Sequence, residues 1–284
     1  MKTRFVILFI TLFCFVSFLQ AQSLADRIGV CTSVNKALLL KQAGCSYVEI
    51  GIRSFLMPDQ PDSAFAANLQ VAKEAELPLY SGNSFFPGNL RLTGPDVCLD
   101  EILKYGKVAI RRAHEVGVKI LVLGSGNARN IPDGFSREEA IGQFTTLCRK
   151  LAEYAADYDV YVVVEPLQSS ETNFINTVRQ GTEIAKAVNH PNLGVLADFF
   201  HMLRENEDAG ALIDAGKWLK HCHIAENEIR SAPGVKGDDF TPFFKALHQA
   251  GYAGALSIEC KWDNMDNQLA TSVAAIKEQI RKSY

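Results

Sequence analysis

Short apolar runs alternate along this chain with longer stretches in which apolar residues recur at helical spacing. The eight apolar runs are RIGVCTS, YVEIGI, PLYSGNS, KILVLGSG, VYVVVEPL, LGVLADFF, LKHCHIAE and GALSIEC. The stretches with helical spacing are residues 34–43, 63–76, 97–116, 136–158, 176–189, 205–215, 239–250 and 266–282. Eight alternating strand–helix units predict parallel strands with crossover helices. They indicate an α/β protein folded as a single (β/α)8 TIM barrel.

The first residues have the pattern of a segment that is removed rather than folded. Lys2 and Arg4 precede an apolar run over residues 5–19, and Ala21 offers a small residue for cleavage. This pattern is typical of a secretory signal peptide, and the run is short for a membrane span, which needs about 20 residues. We therefore predict a signal peptide over residues 1–21 and a barrel over residues 22–284. The mature protein is expected to be exported, to the periplasm, and not to stay inserted in the membrane.

Charge and cysteine usage exclude some classes of partner. The chain has 29 basic and 32 acidic residues, a formal net charge of −3, which becomes −5 when Lys2 and Arg4 are removed. Such a surface does not attract nucleic acid or anionic membranes. The mature chain keeps six cysteines, scattered singly through apolar segments, so we expect buried free thiols rather than disulfides. They are Cys31, Cys45, Cys98, Cys148, Cys222 and Cys260.

Four chemically active residues stand at the ends of consecutive predicted strands. They are Glu165, Asp198, His223 and Glu259. Each alone has an ordinary explanation, such as a strand-end carboxylate, a helix cap or a buried histidine. Together they would meet at the carboxyl ends of the barrel strands, where three buried acids require a cation. The oxygen-rich donor set predicts one divalent metal ion, Mn²⁺ or Mg²⁺, for which Co²⁺ or Zn²⁺ could substitute.

The motifs around these four residues resemble those of a known superfamily. VVVEPLQSSETNFINT, ADFFH, HCHIAEN and LSIEC are similar to motifs of the xylose-isomerase-like sugar isomerases and epimerases, most closely the D-tagatose/D-psicose 3-epimerase branch. The resemblance implies that the four residues bind the metal and that Glu165 and Glu259 also move protons. It further implies that Glu171, His201 and Arg230 hold the substrate. Arg230 lies one position later than the branch's arginine, and Ile229 occupies that position.

Glu49 is a further candidate for the site. It lies in the run YVEIGI, where strand alternation turns it toward the barrel interior. We consider two roles for Glu49: it contacts the substrate, or it only faces the barrel interior without a role in binding. Among the other inward residues, His221 shares a strand face with His223 and is expected to support the site from the core.

Several functions are compatible with this reading of the sequence. The leading hypothesis is a metal-dependent epimerase or isomerase of a ketose or keto-sugar, which removes an α-proton to give a metal-stabilised enediolate. A dehydratase or lyase acting on a keto-sugar or an inosose is the alternative, because the same enediolate can expel a β-substituent. An abasic-site nuclease is disfavoured by the negative charge and the six histidines. A non-catalytic periplasmic sugar-binding protein is the second alternative, and a homodimer is left open.

Overall fold

The computed structural model describes residues 24–283, and these fold into one closed barrel of eight parallel strands. The strands pair in chain order, and β1 closes the barrel by pairing with β8. Their bounds are β1 Ile28–Cys31, β2 Tyr47–Gly51, β3 Leu79–Asn83, β4 Ile120–Leu123, β5 Tyr161–Val164, β6 Leu193–Asp198, β7 Leu219–Ile224 and β8 Ala255–Ile258. Every predicted strand is present, which confirms the TIM barrel.

The helices cover the outside of the barrel and follow most of the predicted segments. Their bounds are Ala37–Gln42, Asp62–Lys73, Leu99–Glu115, Gly126–Arg129, Arg137–Ala156, Val178–Val188, Phe199–Arg204, Gly210–Ala215, Thr241–Gln249 and Met265–Lys282. Two differences stand out. The short helix Gly126–Arg129 after β4 was not predicted, and the predicted helix over residues 205–215 was wrong in its extent. A helix instead begins directly after β6, because the Asp198 carboxylate accepts the backbone N–H of Phe200 and caps it. A second short helix follows at residues 210–215.

The barrel interior is apolar on one side and polar on the other. Ile120, Val122, Val163 and Leu196 pack together inside strands β4 to β6. On the opposite side the ring of Tyr47 fills the space beside Gly29, where a Cβ would collide with that ring. This polar half of the interior continues upward into the cluster of acids and histidines described below.

Other expectations concern the termini, membranes and thiols. The predicted signal peptide, residues 1–21, lies outside the described residues. Within residues 24–283, no helix is both long enough and apolar enough to cross a membrane. The six cysteines of the described chain are free thiols, as predicted. Cys45, Cys148 and Cys222 are buried, as expected, but Cys31 and Cys260 are half-buried and Cys98 is exposed, so the expectation of buried thiols was wrong for these three.

Candidate active site

Four side chains converge at the carboxyl ends of strands β5 to β8. One donor atom from each of Glu165, Asp198, His223 and Glu259 lies within 4.8 Å of the others. Glu165 and Glu259 stand just after β5 and β8, whereas Asp198 ends β6 and His223 lies within β7. The structure therefore brings together all four residues that the sequence assigned to a metal site, and they form a possible metal-binding cluster.

The imidazole of His223 is held between the cluster and the barrel interior. Its Nδ1 lies 3.2 Å from Glu165 Oε1 and 3.0 Å from Glu259 Oε2. Its Nε2 lies 2.9 Å from Oε1 of Glu49 on the other side of the ring. The ring nitrogen on the side of the cluster is thus Nδ1.

The pKa values of two carboxyl groups in the cluster are shifted by their surroundings. Burial raises the pKa of the Glu165 carboxyl. Burial also acts to raise the pKa of Glu259, but the charge and hydrogen bond of His223, together with Arg230, outweigh it and lower that pKa to about 2. For His223, burial is outweighed by the charges of Glu49 and Glu259, and its pKa is raised well above the ordinary value. Two carboxyl groups of one site are therefore pushed in opposite directions, which is a common property of acid–base pairs.

A cavity of about 420 Å³ opens directly above the cluster. Glu165 and Glu259 line its floor, and Glu171, His201 and Arg230 line its walls. The three residues predicted to hold substrate from the family motifs therefore all face this cavity. Glu49 does not line it, because the structure places this residue below His223 with no exposed surface.

Arg230 reaches into the cluster itself. Its guanidinium donates to Asp198 Oδ2 at 2.7 Å and to Glu259 Oε2, and its Nη1 lies 3.1 Å from His201 Nε2. Ile229 and Arg230 both adopt left-handed backbone conformations, with φ of 52° and 59°. Such a conformation is uncommon for any residue with a side chain and is an outlier for a β-branched one. This local turn brings Arg230 to the site although it lies one position later than the family's arginine.

The loop that carries Arg230 is fixed by one buried carboxylate. Glu226 is fully buried, and its Oε1 accepts the backbone N–H groups of Gly234 at 2.8 Å and Gly237 at 2.9 Å. The N–H groups of Lys236 and Asp238 also point at this carboxylate. Glu226 was not predicted from the sequence, because most of its partners are backbone groups, which no motif encodes.

Two more residues shape the floor of the cavity and were also missed. Asn83, the last residue of β3, donates from Nδ2 to Glu259 Oε1 at 2.6 Å. Its strand-end position was the signal that could have found it. Gly124 follows β4, and a Cβ at this position would collide with Oε2 of Glu165. The glycine therefore leaves the space in which that carboxylate lies.

A comparison with known families agrees with this architecture. Residues 37–282 match the model of the xylose isomerase-like TIM barrel family, and the chain belongs to that family. It is 30% identical over 228 residues to an L-ribulose 3-epimerase of Methylomonas sp. strain DH-1, an alignment that covers 77% of this chain and 74% of that protein. The chain is accordingly an enzyme of the sugar isomerase/epimerase kind.

Solved structures share the same fold at lower sequence identity. The 3-keto-D-glucoside 4-epimerase of E. coli superposes with a TM-score of 0.74 at 21% identity, covering 90% of this chain and 99% of that one. A D-allulose 3-epimerase from Methylomonas sp. superposes with a TM-score of 0.74 at 24% identity, covering 89% of this chain and 97% of that one. At these identities the likeness supports the barrel fold.

Proposed function

We propose that this protein is a divalent-metal-dependent epimerase of a ketose or keto-sugar. The observation that carries the proposal is the convergence of Glu165, Asp198, His223 and Glu259 beneath a cavity large enough for a sugar. Relatives named as ketose and keto-sugar epimerases support the same class of substrate. From its N-terminal sequence pattern we further propose that the enzyme is exported to the periplasm.

The donor set fits one hard divalent ion. Three carboxylates and one imidazole come within reach of one another, and Nδ1 of His223 faces the three acids. Such a set suits Mn²⁺ or Mg²⁺ and also accepts Co²⁺ or Zn²⁺. When bound, the ion would act as a Lewis acid that polarises the sugar carbonyl and makes the adjacent C–H more acidic.

Glu259 and Glu165 are placed to move the proton. They follow β8 and β5, which are separated by two strands of the barrel, so they approach a sugar in the cavity from different directions. His223 and Arg230 hold the pKa of Glu259 low, so its carboxyl group is ionised, as a group that accepts a proton must be. We infer that Glu259 removes the α-proton and that Glu165 returns one on the other face, which inverts the carbon.

The remaining polar groups of the cavity orient the sugar. Glu171 is exposed in the wall and can accept hydrogen bonds from sugar hydroxyls. His201 and Arg230 lie side by side on another part of the wall, with their nitrogen atoms 3.1 Å apart. Their role in the proposal is to hold the substrate, so their loss weakens binding more than it slows proton transfer.

Exchange of the substrate's α-proton in deuterated water tests the proposal. Ketoses and 3-keto-glycosides are incubated with the enzyme and Mn²⁺, and the loss of the C–H signal is followed by NMR. Exchange should require the ion, stop with EDTA and return with added Mn²⁺. In Glu259→Gln loaded with Mn²⁺, the rate should fall by a factor of about 10² or more, because the amide has lost the basicity.

His201→Asn is the control for substrate binding. It should raise KM with a smaller loss of maximal rate. If metal-loaded Glu259→Gln exchanges the proton as fast as the wild type, Glu259 is not the base and the mechanism is wrong. A product lighter by one water molecule would instead identify a dehydratase, and would overturn the epimerase assignment.

A further inference from the structure

Glu49 lies at the centre of a buried polar network below the active site. The residue is the middle one of β2, and it has no exposed surface. Its Oε1 lies 2.9 Å from Nε2 of His223, whose other ring nitrogen faces Glu165 and Glu259. Glu49 therefore contacts a proposed metal ligand from behind and does not contact the cavity.

The second oxygen of this carboxylate is fixed by three further side chains. Oε2 accepts the hydroxyls of Ser81 and Ser257, each at 2.6 Å, and lies 2.9 Å from Nε2 of His221. Because the Ser257 hydroxyl donates to Glu49, the Tyr47 hydroxyl 2.7 Å away must donate to Ser257. These contacts arise from β2, β3, β7 and β8, so the carboxylate is held from several directions.

We propose that Glu49 is a positioning residue for the metal site, and that it fixes the ring and the tautomer of His223. A neutral imidazole carries one N–H, and a carboxylate only accepts hydrogen bonds. Glu49 therefore keeps the proton of His223 on Nε2 and leaves the lone pair of Nδ1 directed at the ion. Carboxylates behind metal-binding histidines typically contribute a factor of about 10–100 in metal affinity or activity. This inference rests on the metal part of the proposed function.

A second ion behind His223 is the competing reading of the same residues. Donor atoms of Cys31, Glu49 and His223 also lie within 4.8 Å of one another. An ion at that place would have to displace the hydrogen bonds that both oxygens of Glu49 already accept. It would also have to share the imidazole of His223 with the first ion. The hydrogen bonding therefore favours a support role, and metal stoichiometry distinguishes the two readings.

Titration of metal-stripped protein with Mn²⁺ by calorimetry is the main test. Glu49→Gln should bind Mn²⁺ about 10–100-fold more weakly than the wild type, with one ion per chain in both. The new amide group has two possible orientations. In one, its N–H groups face the Nε2–H of His223, and in the other they face the donors that now point at Oε2, so in both a donor faces a donor. Glu207→Gln is the matched control, because Glu207 is also buried and accepts the backbone N–H of Val178 away from the site. Its Mn²⁺ affinity should stay within twofold of the wild type.

The tautomer gives a readout that a general loss of stability would not produce. In the Mg²⁺-loaded wild type with ¹⁵N-labelled histidine, NMR should show a slowly exchanging proton on Nε2 of His223. That proton should be lost or exchange rapidly in Glu49→Gln. If Glu49→Gln does not fold, Ser257→Ala removes one donor while keeping the carboxylate, and it should weaken Mn²⁺ binding by a smaller factor.

Each outcome points to a different conclusion. Unchanged Mn²⁺ affinity in folded Glu49→Gln, or in Ser257→Ala if Glu49→Gln does not fold, overturns the role of Glu49 and leaves the proposed function standing. A second equivalent of Mn²⁺ that disappears in Cys31→Ser also overturns it, in favour of a two-ion site. A wild type that binds no divalent ion overturns the metal part of the proposed function, and this inference with it.

Discussion

Two fully buried glutamates, Glu49 and Glu226, stabilise two different parts of the site. Glu49 accepts hydrogen bonds from side chains, among them those of two serines and two histidines. Glu226 accepts mainly from the backbone N–H groups of the loop after β7. The first arrangement fixes the orientation of a proposed metal ligand, and the second fixes the shape of a loop that carries Arg230. The floor of the cavity therefore depends on which side chains are present. The wall that carries Arg230 depends instead on the backbone conformation of its loop.

The floor is expected to be the more sensitive of the two to a small steric change. In Gly124→Ala, the new methyl group would displace the Glu165 carboxylate from the place it now occupies. A displacement of about 1 Å at a reacting group can cost about 10²-fold in rate, and we expect a loss of that order in α-proton exchange. The measurement is the exchange rate at saturating substrate and Mn²⁺.

Gly142→Ala is the matched control for that substitution. Gly142 lies in the helix Arg137–Ala156, and a Cβ there would meet no atom within 4 Å. It should leave exchange unchanged and stabilise the protein by about 0.4–1 kcal/mol. Exchange by Gly124→Ala within threefold of the wild type would show that the floor is not sensitive to the position of Glu165.

A change in the loop that forms this wall should weaken substrate binding rather than metal binding. Glu226→Gln replaces an acceptor of several N–H groups with an amide whose own N–H groups would face them. We expect a loss of stability of about 1.5–3 kcal/mol, as for hydrogen bonds to a charged group. KM should rise about tenfold as Arg230 loses its fixed position. Mn²⁺ binding should not weaken, because Arg230 donates to oxygens of Asp198 and Glu259 that the ion would use, and its displacement leaves them free.

Glu228→Gln in the same loop provides the control. The side chain of Glu228 is 64% exposed, so this substitution should leave stability, KM and Mn²⁺ affinity unchanged. Thermal unfolding, steady-state kinetics and Mn²⁺ titration measure the three effects. If Glu226→Gln weakens Mn²⁺ binding as much as Glu49→Gln does, the separation between floor and wall fails.

The smallest effect is expected where the loop is strained. Ile229→Gly removes an exposed apolar side chain from a left-handed position, which relieves strain but adds entropy to the unfolded chain. These two contributions oppose each other, so the free energy of unfolding should change by no more than about 1 kcal/mol. Val235→Gly has no left-handed strain to relieve and should only destabilise. A larger decrease in the free energy of unfolding for Ile229→Gly than for Val235→Gly would show that the side chain of Ile229 stabilises the turn.

Much of the floor was predictable because the residues proposed to bind the metal belong to local patterns. Glu165, Asp198, His223 and Glu259 each stand at or just after the end of an apolar run, and strand alternation fixes the face on which they lie. The closed barrel then brings consecutive strand ends together. The position of the possible metal-binding cluster follows from these two facts and needs no knowledge of the loops.

The depth of Glu49 in the barrel could not be obtained in the same way. Alternation correctly turned it inward, but the residue is the middle of β2, whereas Glu165 and Glu259 stand beyond their strands. The stagger between strands decides which residues share a layer, and a single sequence does not reveal it. The contacts of Arg230 were hidden for another reason, since they depend on two left-handed residues and on backbone groups that point at Glu226.

The four residues of the metal cluster all come from β5 to β8, and none comes from the first four strands. A divalent ion held there would join the ends of the C-terminal half of the barrel. Its binding energy would then oppose local opening of that half more than opening of the other. At a free concentration of 100 times its Kd, an ion adds about 2.7 kcal/mol to the free energy of unfolding. The lifetime of this enzyme against proteases would therefore follow the supply of its ion.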